Sequence, residues 1–168
     1  MQNVKVLVVD DSRLFRRILA DGLNAQTGLE VVAEARDASS AREAVLKYRP
    51  DVMTLDIEMP GMNGLEFLKQ LLPKHPVPVV LVSSLNVKVF DALAAGAIDF
   101  VRKPDDENHI RKDEFLVTLA SKIVIASYSR VHLPTAEGFV IADGAVTRKP
   151  STAAFSRTAS PSAAGAFK

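Results

Sequence analysis

The chain has 168 residues, 21 Lys plus Arg against 20 Asp plus Glu for a net charge of +1, 48% hydrophobic and 24% charged residues, and no cysteine. Without cysteine, disulfides, iron–sulfur clusters, Cys-ligated zinc and thiol catalysis are excluded, and the near-neutral charge gives no support to general nucleic-acid binding. His75, His109 and His132 are scattered without metal-ligand spacing, no apolar run approaches the roughly 18 residues of a membrane span, and Met1 to Lys5 leads straight into a strand-like stretch without the design of a signal peptide. A soluble cytoplasmic protein, with no membrane insertion and no nucleic-acid partner, is the expectation.

Val4 to Val9 is a short β-branched run of the kind found in a strand covered on both faces. It stops at Asp10-Asp11-Ser12, where Ser12 is placed to cap a helix bearing Leu14, Phe15, Ile18, Leu19 and Leu23 at helical spacing. A second strand over about 30–35 precedes a helix with Ala41, Ala44, Val45 and Tyr48 on one stripe and a Glu43–Lys47 pair one turn apart. Pro50 separates it from a third strand, Val52 to Leu55, ending at Asp56.

The turn Pro60-Gly61-Met62-Asn63-Gly64 opens a third helix bearing Leu65, Leu68, Leu71 and Leu72, closed by Pro73. Val77 to Val82 reads as the most apolar strand, ending at Ser83-Ser84, and the next helix carries Val89, Phe90 and Leu93 before Gly96. Ile98 to Val101 is a short fifth strand before Lys103-Pro104, and a last helix runs from about 112 to 128. Five strands alternating with five helices predict an α/β domain with a parallel sheet and helices on both faces. From Pro134 to Lys168, 23 of 35 residues are Ala, Ser, Thr, Pro or Gly. The organisation expected is therefore a domain over 1–133 and a flexible linker or tail over 134–168.

Polar residues recur at the carboxyl ends of the strands: Asp10 and Asp11, Asp56, Ser83, Lys103. Open α/β sheets bind ligands there, at the switch point between strands one and three in the order 2-1-3-4-5, so the three aspartates converge. Clustered carboxylates call for a hard cation such as magnesium. A carboxylate beside it can attack phosphorus, with Lys103 as a point charge and Ser83 as a neutral donor to the phosphoryl oxygens. On its own the Asp-Asp-Ser segment is an ordinary helix start; its register with Asp56, Ser83 and Lys103 is what favours a site.

Val8-Val9-Asp10-Asp11-Ser12, Asp56 followed by Met59-Pro60-Gly61-Met62-Asn63-Gly64, Ser83-Ser84, and Gly96-Ala97 leading to Lys103-Pro104 resemble the signature of response-regulator receiver domains of two-component signalling. That resemblance implies a flavodoxin-like (CheY-like) fold. Leu55 to Pro60, Val79 to Leu85 and Gly96 to Pro104 are similar to the receiver half of the chemotaxis protein-glutamate methylesterases (CheB). The family implies Asp56 as phosphoacceptor and Asp11 and Asp56 as ligands of Mg2+ (or Mn2+). It implies that Asp10 acts mainly through a metal-bound water, and that Glu58 lends its backbone carbonyl. Ser83 would follow the phosphoryl group, Phe100 would hold the aromatic switch position, and the Lys103-Pro104 bond is expected to be cis.

The implied partners are a chemotaxis histidine kinase, an esterase domain of the same protein and, through it, chemoreceptors. No Gly-x-Ser-x-Gly segment occurs in the 168 residues, so the readings are a receiver plus linker of a longer enzyme, or a stand-alone CheY-type receiver that binds a separate target. A DNA-binding output is disfavoured, because no basic helix-turn-helix follows residue 133. A metal-dependent phosphatase would want Asp where Glu58 stands. Arg13, Arg16 and Arg17 read as a solvated face or a contact for a kinase. The wide apolar arc of the last helix (Phe115, Leu116, Val117, Leu119, Ile123, Val124, Ile125) reads equally as a thick core or as a docking face for a further domain or a second copy.

Overall fold

The structure, a computed structural model, describes residues 2–84, 89–105, 111–131 and 133. The segment 134–168, expected as a linker, and the histidines His109 and His132 lie outside the described residues. The chain alternates β1 (Val4–Val9), α1 (Arg13–Asn24), β2 (Leu29–Ala35), α2 (Ala38–Tyr48), β3 (Val52–Leu55), α3 (Gly64–Leu71), β4 (Val79–Ser83), α4 (Val89–Ala94), β5 (Asp99–Arg102) and α5 (Lys112–Ser127). All strand pairs are parallel and the sheet order is β2-β1-β3-β4-β5. The fold anticipated from the alternating periodicities is the fold observed.

The continuous apolar runs of the central strands have a direct cause. Leu7, Val9, Met53, Leu55 and Leu81 point into a core shared with α2, α3 and α4, while Val6, Val8, Val52, Val80 and Val82 point into a second core shared with α1 and α5. Successive side chains alternate across a strand, so a sheet covered on both faces needs apolar residues at every position. The helix starts are fixed by the side chains the sequence supplies. Ser12 Oγ accepts from Phe15 N at 3.2 Å, Asp37 and Ser40 form a reciprocal capping box, and Asn63 Oδ1 accepts from Leu65 N at 2.8 Å.

Three element boundaries and two burial expectations differ from the sequence reading. β4 begins at Val79 rather than Val77, because Pro76 and Pro78 have no N–H to give to a ladder; Pro78 contributes only its carbonyl, to Met53 N at 2.9 Å. β4 also takes in Ser83, and β5 is displaced by one residue to Asp99–Arg102. Leu14 and Tyr48, expected on buried stripes, are exposed. On α5, Phe115, Leu119 and Ile123 are buried as expected, and Leu116 is buried against α1, where Gly22 leaves room for its side chain. Val117, Val124 and Ile125 are exposed, as are Phe90 on α4 and Tyr128 just past α5. A thick core therefore accounts for Leu116 alone. Among the described residues no helix is long and apolar enough to cross a membrane.

Candidate functional site

The carboxyl ends of β1, β3, β4 and β5 bring together the residues singled out by position. Asp10 and Asp56 are buried and Asp11 is exposed, yet ligand atoms of all three carboxylates lie within 4.8 Å of one another. Lys103 Nζ reaches in from beyond β5, 2.5 Å from Asp10 Oδ2 and 3.0 Å from Asp56 Oδ2. Its main-chain N–H donates to Ser83 O at 3.0 Å, which ties the end of β5 to the end of β4. The Lys103-Pro104 bond, expected to be cis, is trans, like every peptide bond among the described residues. The trans form is the lower state by about 0.5–1 kcal/mol for X-Pro, and the four-carbon stem of Lys103 reaches both aspartates from it.

The two buried carboxylates are oriented in the same way. Asp10 Oδ1 accepts from Ser12 N at 2.9 Å and Asp56 Oδ1 accepts from Glu58 N at 3.1 Å, each from the residue two positions on. One oxygen of each is thus tied to its own loop, and the other, Oδ2, faces Lys103. The loops themselves hang on the sheet, through Asp10 N to Ala35 O at 3.1 Å and Asp56 N to Val9 O at 2.9 Å. Beyond Asp56, Gly64 N donates to Ile57 O at 2.8 Å, closing the loop onto the start of α3.

Burial pushes the Asp10 carboxyl above its ordinary range and outweighs the opposing pull of Lys103. Burial also acts to lower Lys103, but hydrogen bonding and attraction from Asp10, then from Asp56, outweigh it and raise the ammonium above its ordinary value. A protonated lysine is thus locked between two carboxylates, one of which carries its charge at a cost. Ligand atoms of three carboxylates cluster beside a single ammonium that contacts two of them, and every donor is oxygen. That donor set fits a hard divalent cation.

Of the other expected residues, Ser83 is fully buried at the end of β4 and Ser84 is exposed beside it. Phe100 is half-buried on β5, opposite Leu81 in register, and packs against the α2, α3 and α4 core. Glu58 is exposed and its carboxylate is not among the three clustered groups; the role expected of it concerns its carbonyl. Arg16 was missed by the sequence reading. It does not belong to a solvated face: its Nη1 donates to Asp10 O at 2.7 Å and Asp11 O at 3.3 Å, and its Nε lies 3.8 Å from Glu34 Oε2 on β2. The only sequence signal was its place one turn beyond the Ser12 cap, which nothing separates from the neighbouring Arg13 and Arg17.

Residues 6–113 match the response regulator receiver domain family. The chain belongs to that family. As a receiver it is 50% identical over 163 residues to a protein-glutamate methylesterase/protein-glutamine glutaminase of Syntrophomonas wolfei, in a match covering 89% of this chain and 48% of that protein. The receiver thus spans about half the length of that relative. Its structure resembles the response regulator domain of Thermotoga maritima CheB with a TM-score of 0.69 and 38% identity, covering 76% of this chain and 98% of that one. It also resembles a chain of the Borrelia burgdorferi CheX–CheY–BeF3–Mg2+ complex with a TM-score of 0.63 and 25% identity, covering 77% of this chain and 92% of that one. The receiver is therefore of the type found in the chemotaxis methylesterases.

Proposed function

We propose that this receiver takes a phosphoryl group onto Asp56 from a phosphohistidine of a chemotaxis histidine kinase. By this means it controls a protein-glutamate methylesterase/glutamine deamidase that acts on chemoreceptors in the cytoplasm. The observation that carries the reading is the shared orientation of Asp10 and Asp56, each with Oδ1 tied to its loop and Oδ2 turned to Lys103.

Asp11 and Asp56 would hold Mg2+ or Mn2+ directly, Asp10 through a bound water, and Glu58 through its main-chain carbonyl. The cation supplies charge neutralisation between the attacking carboxylate and the incoming phosphoryl oxygens. The residues of the chain do the rest. An oxygen of Asp56 attacks phosphorus in line, the N–P bond of the phosphohistidine breaks, and its electron pair returns to the imidazole. Lys103, already protonated beside Asp56, moves from the carboxylates to a phosphoryl oxygen, and the Ser83 hydroxyl donates to another. Ser83 and Phe100 occupy neighbouring strands, so a shift of Ser83 toward the phosphoryl group changes the packing of Phe100 and with it the face built from α4, β5 and α5.

In this reading residues 1–133 form the receiver and 134–168 a linker to the esterase domain, and the exposed Val117, Val124, Ile125 and Phe90 make the face on which that domain docks. The test is phosphotransfer. Incubation with a labelled chemotaxis kinase should move label to this chain within seconds in magnesium, and in the longer enzyme should raise the release of methanol from receptor glutamate methyl esters. Transfer with no change in esterase rate would favour the stand-alone reading, and retention of all label on the kinase would overturn both.

A further inference from the structure

Lys103 has a third neighbour besides the two aspartates. Its Nζ stands 4.4 Å from the centroid of the Phe15 ring, within the range of a cation–π contact. Phe15 sits in the first turn of α1, fixed through its main chain to the Ser12 cap and packed against the α1 and α5 core. Its ring lies 6.0 Å from that of Phe115 at 48°, so it is braced from behind by α5. Among the described residues the ammonium thus lies against two carboxylates and one aromatic face, with the side chain only 12% exposed.

These three walls differ in what a bound cation does to them. A divalent ion held by Asp11 and Asp56, with Asp10 through a bound water, would offset the charges that face Lys103, and phosphorylation consumes an oxygen of Asp56. The ring loses nothing in either event. Lysine carries a flexible stem and a strongly hydrated head, so an aromatic face fixed beside it narrows where the ammonium goes once the carboxylates are occupied. We propose that Phe15 is a positioning residue, its ring face holding the Lys103 ammonium at the phosphoryl pocket when metal has claimed the aspartates. This rests on the reading that Lys103 meets the phosphoryl group.

Two substitutions separate ring from bulk: Phe15→Leu keeps an apolar side chain and removes the aromatic face, and Phe15→Tyr keeps the face. In 13C-lysine-labelled protein the ε-methylene of Lys103 should show a ring-current upfield shift that persists with Mg2+ and beryllofluoride, is lost in Phe15→Leu and is kept in Phe15→Tyr. Initial phosphoryl uptake from acetyl phosphate at saturating Mg2+ should fall about fivefold in Phe15→Leu, within the strength of a partly desolvated cation–π contact. It should stay near wild type in Phe15→Tyr, with Mg2+ affinity unchanged in both. A wild-type Lys103 without the upfield shift needs no variant to overturn the proposal. So would equal uptake by wild type and Phe15→Leu, or a loss in Phe15→Tyr as large as in Phe15→Leu, which would leave Phe15 a packing residue. Failure of the wild type itself to take up phosphoryl would instead overturn the phosphoacceptor reading beneath it.

Discussion

Gly64 packs so closely on Asp56 that a Cβ at residue 64 would run into the main-chain carbonyl oxygen of Asp56 and come within 2.8 Å of Ile57 Cα. Both obstacles are backbone, so neither can turn aside. Gly64→Ala is expected to destabilise the domain by about 1–3 kcal/mol, the usual cost of overpacking, and to displace the Asp56 loop. Thermal unfolding should show a midpoint several degrees lower, and Mg2+ titration a weaker site. An unchanged midpoint would mean that α3 can move away from the loop freely.

Asp10 gives a prediction with a definite sign. Its folded-state pKa is raised by burial from 3.8, so the folded domain binds that proton more tightly than the unfolded chain does. The ionised Asp10 therefore subtracts stability above its folded pKa, and the penalty fades as pH falls through that value. Without metal, Asp10→Asn should melt several degrees higher than wild type at pH 7, with the advantage shrinking toward pH 4. Saturating Mg2+ should narrow or reverse the order, because ligand binding stabilises the wild type in proportion to its affinity. A variant less stable than wild type at pH 7 without metal would show that the contact with Lys103 outweighs the burial cost.

Arg16 clamps the carbonyls of Asp10 and Asp11 from α1. Arg16→Met keeps much of the stem and removes the donors. Hydrogen bonds from a charged group contribute about 1.5–3 kcal/mol, and here part of that holds the geometry of the β1–α1 loop. Mg2+ affinity, followed by titration, should drop about tenfold, while the circular dichroism spectrum stays that of the folded domain.

If the receiver is joined to an esterase domain, as proposed, the exposed apolar residues of α5 should matter there while being indifferent in the receiver alone. Ile125→Glu is expected to change receiver stability by no more than about 0.5 kcal/mol, as for most surface substitutions. In the enzyme carrying the esterase domain it should weaken docking and raise the unphosphorylated esterase rate. An unchanged basal rate would place the docking face elsewhere.

Much of the fold was legible because its signals are local. Strands covered on both faces read as unbroken apolar runs, and Ser12, Pro50, Asn63 and Gly96 punctuate them at the right places. The convergence of Asp10, Asp11, Asp56 and Lys103 followed from their common place at strand ends. What escaped was decided by tertiary direction. Leu14 has the right spacing for a buried stripe but lies on the outer side of α1, and Arg16 is set apart from Arg13 and Arg17 only by the Asp10 loop above it. The ring of Phe15 over Lys103 is likewise a product of packing between α1, the end of β5 and α5, which no single window of sequence contains.

The central claim is that Asp56 is the phosphoacceptor. Intact-mass analysis after incubation with acetyl phosphate and Mg2+ tests it most directly: wild type should gain one hydroxylamine-labile phosphoryl group, and Asp56→Asn none. Equal labelling of the two, or labelling of neither, would contradict the account.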